Sequence, residues 1–81
     1  MAEEAQGFDE GELVVEIEKG RDVIRIRRTQ FKGYKLVDLR IFWEDKEGAW
    51  KPGKGLAFRE ELLPDVIVGL QEAAKRAGVD E

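Results

Sequence analysis

The sequence predicts an α+β fold in which a four-stranded antiparallel sheet is followed by one C-terminal helix. From Glu12 onward apolar and polar residues alternate, and near Pro64 the apolar residues change to helical spacing. The length of 81 residues allows one domain at most. We therefore expect a disordered acidic tail at 1–11, a single ββββα domain at 12–78 and a disordered end at 79–81.

Three strands follow from the alternation, with Gly20, FKGY and EDKEG as the turns. The first, ELVVEIEK, should carry Leu13, Val15 and Ile17 on one face. In the next two, the apolar face should carry Ile24, Ile26, Val37, Leu39, Ile41 and Trp43. The opposite, polar face should carry Arg25, Arg27, Phe31, Asp38, Arg40 and Phe42. Arg28 has the parity of the isoleucines, so it is expected at a strand end, beside a bulge, or paired with an acid across a dimer interface.

The fourth strand and the helix complete the predicted order. AWKPGKGLAF is typical of an interrupted strand, and Pro52 marks an edge or a break because it cannot donate to a ladder. A short turn in FREELL should precede a helix that starts near Pro64. Lys75 and Arg76 suit the C-terminal end of its dipole, and Gly78 suits the C′ position.

Composition excludes several classes of function. Without cysteine or histidine, the chain offers no disulfide, no zinc cluster of the usual kind and no Cys- or His-based catalysis. No Walker or nucleophile-elbow motif is present, so neither an enzyme nor a cofactor is expected. No apolar run suggests a membrane span or signal peptide, so a cytoplasmic location is the default. A core this small favours stabilisation by a second copy, and we expect a homodimer.

Charge is distributed unevenly along the chain. Residues 1–18 carry −7, residues 19–59 carry +7 and residues 60–81 carry −4, for a net charge of −4. Spaced cations with aromatic rings on a sheet face suit single-stranded nucleic acid, since cations meet phosphates and rings stack on unpaired bases. The alternative is that the charges only solvate the sheet and block edge-to-edge aggregation.

The run from Phe31 to Phe58 resembles the C-terminal domain family of the transcriptional coactivator positive cofactor 4. The matching segments are FKGYKLVDLR, FWEDKEGAWKPG-KG and LAF before the helix, and the likeness covers roughly residues 12–77. The resemblance implies a curved sheet, a homodimer and single-stranded DNA binding with little sequence preference. It also implies a role in transcription, replication or repair.

Candidate nucleic-acid-binding residues come from the resemblance and from strand parity. By position, Phe31 and Trp43 resemble the family's stacking aromatics, and its backbone-contacting cations are matched by Lys32, Arg40, Lys51 and Lys54. Tyr34 stands where a basic residue often follows the glycine, so stacking is its expected role. Arg25 and Arg27 are added by strand parity alone.

Three alternatives stay open at this point. Trp43 has the parity of the apolar face, so either a bulge or strong twist turns it outward, or Phe42 takes the stacking role. KPGKG is one residue shorter than the family's usual basic loop, which leaves the assignment of Lys54 open. The rival function is a dimeric protein-interaction module of transcription or replication complexes, with secondary contact to nucleic acid, including RNA.

Overall fold

The computed structural model describes residues 11–79, which form one antiparallel sheet followed by a helix. The strands are β1 (Glu12–Lys19), β2 (Asp22–Phe31), β3 (Tyr34–Glu44) and β4 (Trp50–Arg59). A 3-10 turn, Glu60–Leu62, precedes the helix α1 (Leu63–Ala77). Each strand pairs with its neighbour in the chain, so β1 and β4 are the sheet edges. The predicted fold is confirmed; residues 1–10 of the expected tail, and 80–81, lie outside the described residues.

The pairing of β2 with β3 is continuous and fixes the two faces of the sheet. Ile24 lies opposite Ile41 and Ile26 opposite Leu39, which defines the apolar face. Arg25 lies opposite Arg40 on the other side, the polar face, with the pairs Arg27–Asp38, Val23–Phe42 and Phe31–Tyr34. A shift of the pairing by one residue would move every side chain to the opposite face. The unbroken register therefore fixes which side chains of β2 and β3 lie on the polar face.

Register shifts occur in both edge strands. In β1 the shift places Leu13 opposite Arg27, whereas Val15 lies opposite Ile26. The expectation that Leu13 shares the face of Val15 is therefore wrong, because an extra residue at a bulge interrupts strand parity. In β4 the partners of Arg40 and Phe42 are Gly55 and Pro52, so the extra residue belongs to the KPGKG segment.

The predicted helix signals are confirmed at both ends of α1. Pro64 lies in the first turn, where its missing N–H costs no intrahelical hydrogen bond. Gly78 has a φ of 76°, and its N–H donates to the Lys75 carbonyl at 3.1 Å. The N–H of Val79 donates to the Ala74 carbonyl at 3.0 Å, which completes a Schellman cap.

Little apolar surface is buried within the described chain. The buried apolar side chains are those of Val23, Val37 and Phe42, and α1 contributes none. The helix α1 carries an apolar stripe, the helical stripe, that includes Ile67 and Leu70, and these two residues remain 47% and 60% exposed. An amphipathic helix with its stripe in water lacks the packing that usually stabilises it.

Candidate nucleic-acid interface

The β2–β3 hairpin presents two aromatic rings at one end of the polar face. Lys32 and Gly33 form the turn with φ angles of 51° and 84°, the left-handed pair that a two-residue type I′ turn requires. Phe31 and Tyr34 flank this turn as a cross-strand pair and are 45% and 50% exposed. Phe31, Lys32 and Tyr34 are called the aromatic tip below.

Cations accompany both rings of the aromatic tip. The Lys32 ammonium lies 5.4 Å from the centroid of the Phe31 ring, and the Arg59 guanidinium carbon lies 4.2 Å from that of Tyr34. Within residues 11–79, neither cation has a carboxylate at ion-pair distance. Exposed rings beside cations that lack an acid are suited to stacking on bases and binding phosphates.

A buried carboxylate organises the middle of the polar face. Asp38 is fully buried, and its two oxygens accept hydrogen bonds from Nη2 and Nε of Arg40 at 2.8 and 3.3 Å. Arg27 donates to Asp38 from Nη2 at 3.4 Å. Arg40 also donates to the Gly53 carbonyl at 3.0 Å. One acid thus holds two guanidinium groups, which supply the compensation that a buried charge requires.

The ring of Phe42 lies beneath two guanidinium groups. The guanidinium carbons of Arg25 and Arg27 lie 4.6 and 5.6 Å from its centroid, and the ring is buried. Arg25 also donates from Nε to Glu16 of β1 at 3.2 Å. These residues of the polar face (Arg25, Arg27, Asp38, Arg40 and Phe42) are called the Asp38 cluster. The centre of the polar face is therefore less exposed to solvent than the sequence predicts, because its arginines are covered by acids and by a ring from neighbouring strands.

Trp43 lies at the other end of β3 from the aromatic tip. It is 43% exposed, pairs with Lys51 and shares the parity of Ile41, since the β2–β3 register has no bulge. A Cβ added at Gly53 would approach its indole Cδ1 to 3.3 Å, so a larger residue there would crowd the ring. Nine residues of strand separate Trp43 from Tyr34, about 30 Å.

The loop between β3 and β4 is held by Asp45. Its carboxylate accepts hydrogen bonds from the backbone N–H groups of Ala49 and Glu47, both at 2.9 Å. The Ala49 N–H does most to hold the pKa of Asp45 below its ordinary value, and Lys51, 3.4 Å away, acts in the same direction. Lys54 follows in the irregular part of β4, exposed and without an acid partner among the described residues.

Close packing explains one glycine of KPGKG. A Cβ at Gly55 would collide with the Leu39 carbonyl and lie 2.7 Å from the Arg40 Cα. Since the Leu39 carbonyl and the Arg40 Cα belong to the backbone, the clash could be relieved only by moving β3 or β4. Glycine at this position lets β4 approach β3 directly beside the Asp38 cluster.

Arg59 was missed as a candidate, although a signal for it exists. The register pairs it with Leu36, two residues along β3 from Tyr34 and on the same face. Counting back from the end of β4 through Gly55 and Ala57 gives this face, whereas counting forward from Trp50 crosses the bulge and loses parity.

Residues 11–79 contain neither a cluster of metal ligands nor a membrane-spanning helix. No group of three or more acidic, cysteine or histidine side chains there could hold a metal ion. No helix in that range has the length and apolarity needed to cross a membrane.

Comparisons with known proteins agree with the fold. The family model for Transcriptional Coactivator p15 (PC4) matches residues 18–67. An orthorhombic crystal structure of a PC4 homolog from Burkholderia pseudomallei is 33% identical, with a TM-score of 0.74 over 83% of this chain and 93% of that one. Its tetragonal form gives 33% identity and a TM-score of 0.72, over 79% of this chain and 97% of that one.

A more distant structure has the same fold. It is the bacteriophage T5 homolog of the eukaryotic coactivator PC4, described as implicated in recombination-dependent DNA replication. The identity is 19% and the TM-score 0.69, over 85% of this chain and 82% of that one. The family match over most of the domain, joined with the 33% identity to the Burkholderia homolog, shows that this chain belongs to the PC4 family of transcriptional coactivators.

Proposed function

We propose that this protein binds single-stranded DNA with little sequence preference and acts as a homodimer in transcription, replication or repair. The observation that carries the proposal is the aromatic tip, where Phe31 and Tyr34 are about half exposed beside cations that no described acid neutralises. Unpaired bases stack on such rings, while a duplex hides its base faces. Membership of the PC4 family supports the same function.

Phosphate contacts are assigned by the availability of each cation. Lys32 at the turn and Lys54 in the irregular part of β4 have no acid partner within residues 11–79, so both can meet phosphates directly. Lys51 is shared with Asp45 at 3.4 Å. In the Asp38 cluster, Arg25, Arg27 and Arg40 are already paired with carboxylates, and phosphate binding there requires competition with Glu16 or Asp38.

Trp43 is retained as a second stacking residue. Its half-exposed ring and the adjacent Lys51 repeat the aromatic–cation pairing of the tip, whereas Phe42 is covered by two guanidinium groups. A DNA strand that contacts both Tyr34 and Trp43, at the two ends of β3, would have to cross from the polar face of the sheet to the apolar face. The alternative is that it contacts Tyr34 of one protomer and Trp43 of a second protomer. The exposed surface favours Trp43 over Phe42 for stacking.

A second copy of the chain is the proposed cover for the exposed apolar surface. Val15, Ile17 and Leu56 of the sheet are 41%, 46% and 57% exposed, in addition to the helical stripe. Monomers rarely leave large apolar patches in water. Light scattering at micromolar concentration should give twice the 9.2 kDa mass of one chain. A mass of one chain would reject the dimer and leave this surface to a protein partner.

Quenching of tryptophan and tyrosine fluorescence by oligo-dT tests the binding function. Binding that weakens as salt rises is expected, because cations on the protein displace counterions from the phosphates. The Phe31→Ala, Trp43→Ala double variant should lose most of the affinity while keeping the parent's mass in solution. Neither quenching nor a mobility shift at low salt would favour the protein-interaction module. A protein that binds single strands of genomic DNA would be located in the cytoplasm. In a bacterial cell it would be associated with the nucleoid.

A further inference from the structure

Arg59 lies beside the aromatic tip but comes from a different strand. It is the last residue of β4 and pairs with Leu36, so Tyr34 is its diagonal neighbour on β3. Its guanidinium carbon lies 4.2 Å from the centroid of the Tyr34 ring, and both side chains are exposed. The edge strand thus adds a charge to a site otherwise built from the β2–β3 hairpin.

The contact with Tyr34 limits where the guanidinium can be. A cation over an exposed aromatic face is weakly attracted to the ring, which favours one placement of an otherwise flexible side chain. No carboxylate of residues 11–79 forms an ion pair with Arg59, so its five N–H donors are available to a ligand. This differs from Arg27 and Arg40, which share the buried carboxylate of Asp38.

Four side chains, from the β2–β3 hairpin and the end of β4, form the site. The rings of Phe31 and Tyr34 are a cross-strand pair, Lys32 lies beside the first ring and Arg59 beside the second. Two exposed rings, each with its own cation, match a chain of bases bordered by phosphates. A lone phosphate or a small anion would not need the rings.

We infer that Arg59, held by the ring of Tyr34, binds a backbone phosphate of the single strand whose bases stack at the aromatic tip. The inference rests on the proposed function and deepens it by adding a contact from β4. Tyr34 then has two roles: one face of its ring positions Arg59, and the other face stacks on a base. The phosphodiester is the ligand, so the contact should carry little base preference.

The salt dependence of oligo-dT binding tests this directly, since each phosphate contact to a single strand contributes about 0.7 to the slope of log K against log salt. Arg59→Gln removes the charge and is expected to lower the slope by about 0.7 and the affinity several-fold. Arg59→Lys should keep the slope. Lys75→Gln, an equal charge change at the exposed end of α1, should leave slope and affinity unchanged.

Tyr34 separates positioning from charge. Tyr34→Phe keeps the ring and should bind like the parent, whereas Tyr34→Leu should weaken binding and abolish the effect of adding Arg59→Gln. Thermal melts should change only slightly in the Arg59 variants, because the side chain is exposed and its contact with Tyr34 is weak. A parent-like slope and affinity for Arg59→Gln, with the parent binding normally, overturns this inference alone. Failure of the parent to bind at low salt overturns the proposed function as well.

Discussion

The aromatic tip and the Asp38 cluster lie on the same face of the sheet and contain the same kinds of residue, yet they differ in what they leave free. At the tip, Phe31 and Tyr34 are about half exposed, and the cations beside them have no described acid partner. In the cluster, Asp38 is fully buried and Phe42 is 8% exposed. Position along the strands decides the difference: the tip lies at the turn that joins β2 to β3, whereas the cluster lies in mid-strand, where Glu16 of β1 and Asp38 of β3 pair with its arginines.

The two regions are expected to contribute to different properties: the Asp38 cluster to the stability of the fold, and the aromatic tip to the affinity for DNA. Cations held by a buried carboxylate stabilise the fold chiefly by avoiding an uncompensated charge. Cations over exposed rings add little to stability and remain available to a ligand. Substitutions in the cluster should therefore change the free energy of unfolding, while those at the tip should chiefly change binding.

The largest expected effect is on stability, in Asp38→Ala. The change leaves the guanidinium groups of Arg27 and Arg40 without their carboxylate and should lower the free energy of unfolding by about 3–5 kcal/mol. Urea denaturation measures it. Glu72→Ala is the matched control, since Glu72 also pairs with an arginine, Arg76 at 3.0 Å, but on the helix surface. The Glu72→Ala control should lower the free energy of unfolding by no more than about 0.5 kcal/mol. An equal loss in the two variants would contradict the assignment of the Asp38 cluster to stability.

The next effect is on affinity, in Phe31→Ala. Loss of one stacking ring should weaken oligo-dT binding by about 1–3 kcal/mol, or about 5- to 150-fold. Fluorescence titration measures the affinity, and a urea melt of the same variant should show a smaller loss of stability than Asp38→Ala because the ring is 45% exposed. A large loss of stability with unchanged affinity would place Phe31 with the core instead.

Arg25→Gln probes the border of the Asp38 cluster. Its guanidinium pairs with Glu16 at 3.2 Å and lies 4.6 Å from the Phe42 centroid, and its side chain is 26% exposed. Both interactions are partly solvated, so we expect a loss of about 1 kcal/mol in the free energy of unfolding. Affinity for oligo-dT should fall less than in Phe31→Ala. A larger affinity loss would show that the cluster contacts the strand directly.

The smallest effect lies outside both regions, at Asp45, and gives a baseline for acid titration. Because its pKa is lowered in the folded chain, the stabilisation it provides is complete above the unfolded value near 3.9 and is lost as pH falls through the folded value. Asp45→Asn should therefore remove a small part of the acid-induced loss of stability. Melting curves between pH 2 and 6 measure it, and an effect confined to pH above 6 would contradict the assignment.

Strand parity predicted the two faces but not the pairing of charges upon them. The alternation of β2 and β3 placed Arg25, Arg27 and Arg40 on one side, and the register agrees. Their acid partners come from two sources: Glu16 belongs to another strand, whereas Asp38 lies on the same face of β3, two residues from Arg40. The burial of Asp38 and Phe42 could not be predicted from strand parity, because it depends on how the side chains of three strands cover one another.

Arg28 shows the same limit of sequence reasoning. Its awkward parity is explained by long-range ion pairs near the end of β2: Nη1 lies 3.0 Å from Glu12 and Nη2 lies 3.9 Å from Glu60. These acids are 16 and 32 residues away in the sequence. Arg28 also lies beside the bulge of β1, as one of the expected alternatives has it, because Glu12 is its cross-strand partner and the register shifts between Leu13 and Val15. No second protomer is needed to provide the acids.

Stacking of the exposed rings of the aromatic tip on unpaired bases is tested most directly by a competition titration. Labelled oligo-dT bound to the unsubstituted protein is displaced by unlabelled single-stranded or duplex competitors of equal length at fixed salt. Stacking predicts that the single strand competes far better than the duplex, and that Phe31→Ala narrows the gap. Equal competition by the duplex, with no change in Phe31→Ala, would contradict stacking and leave phosphate attraction alone.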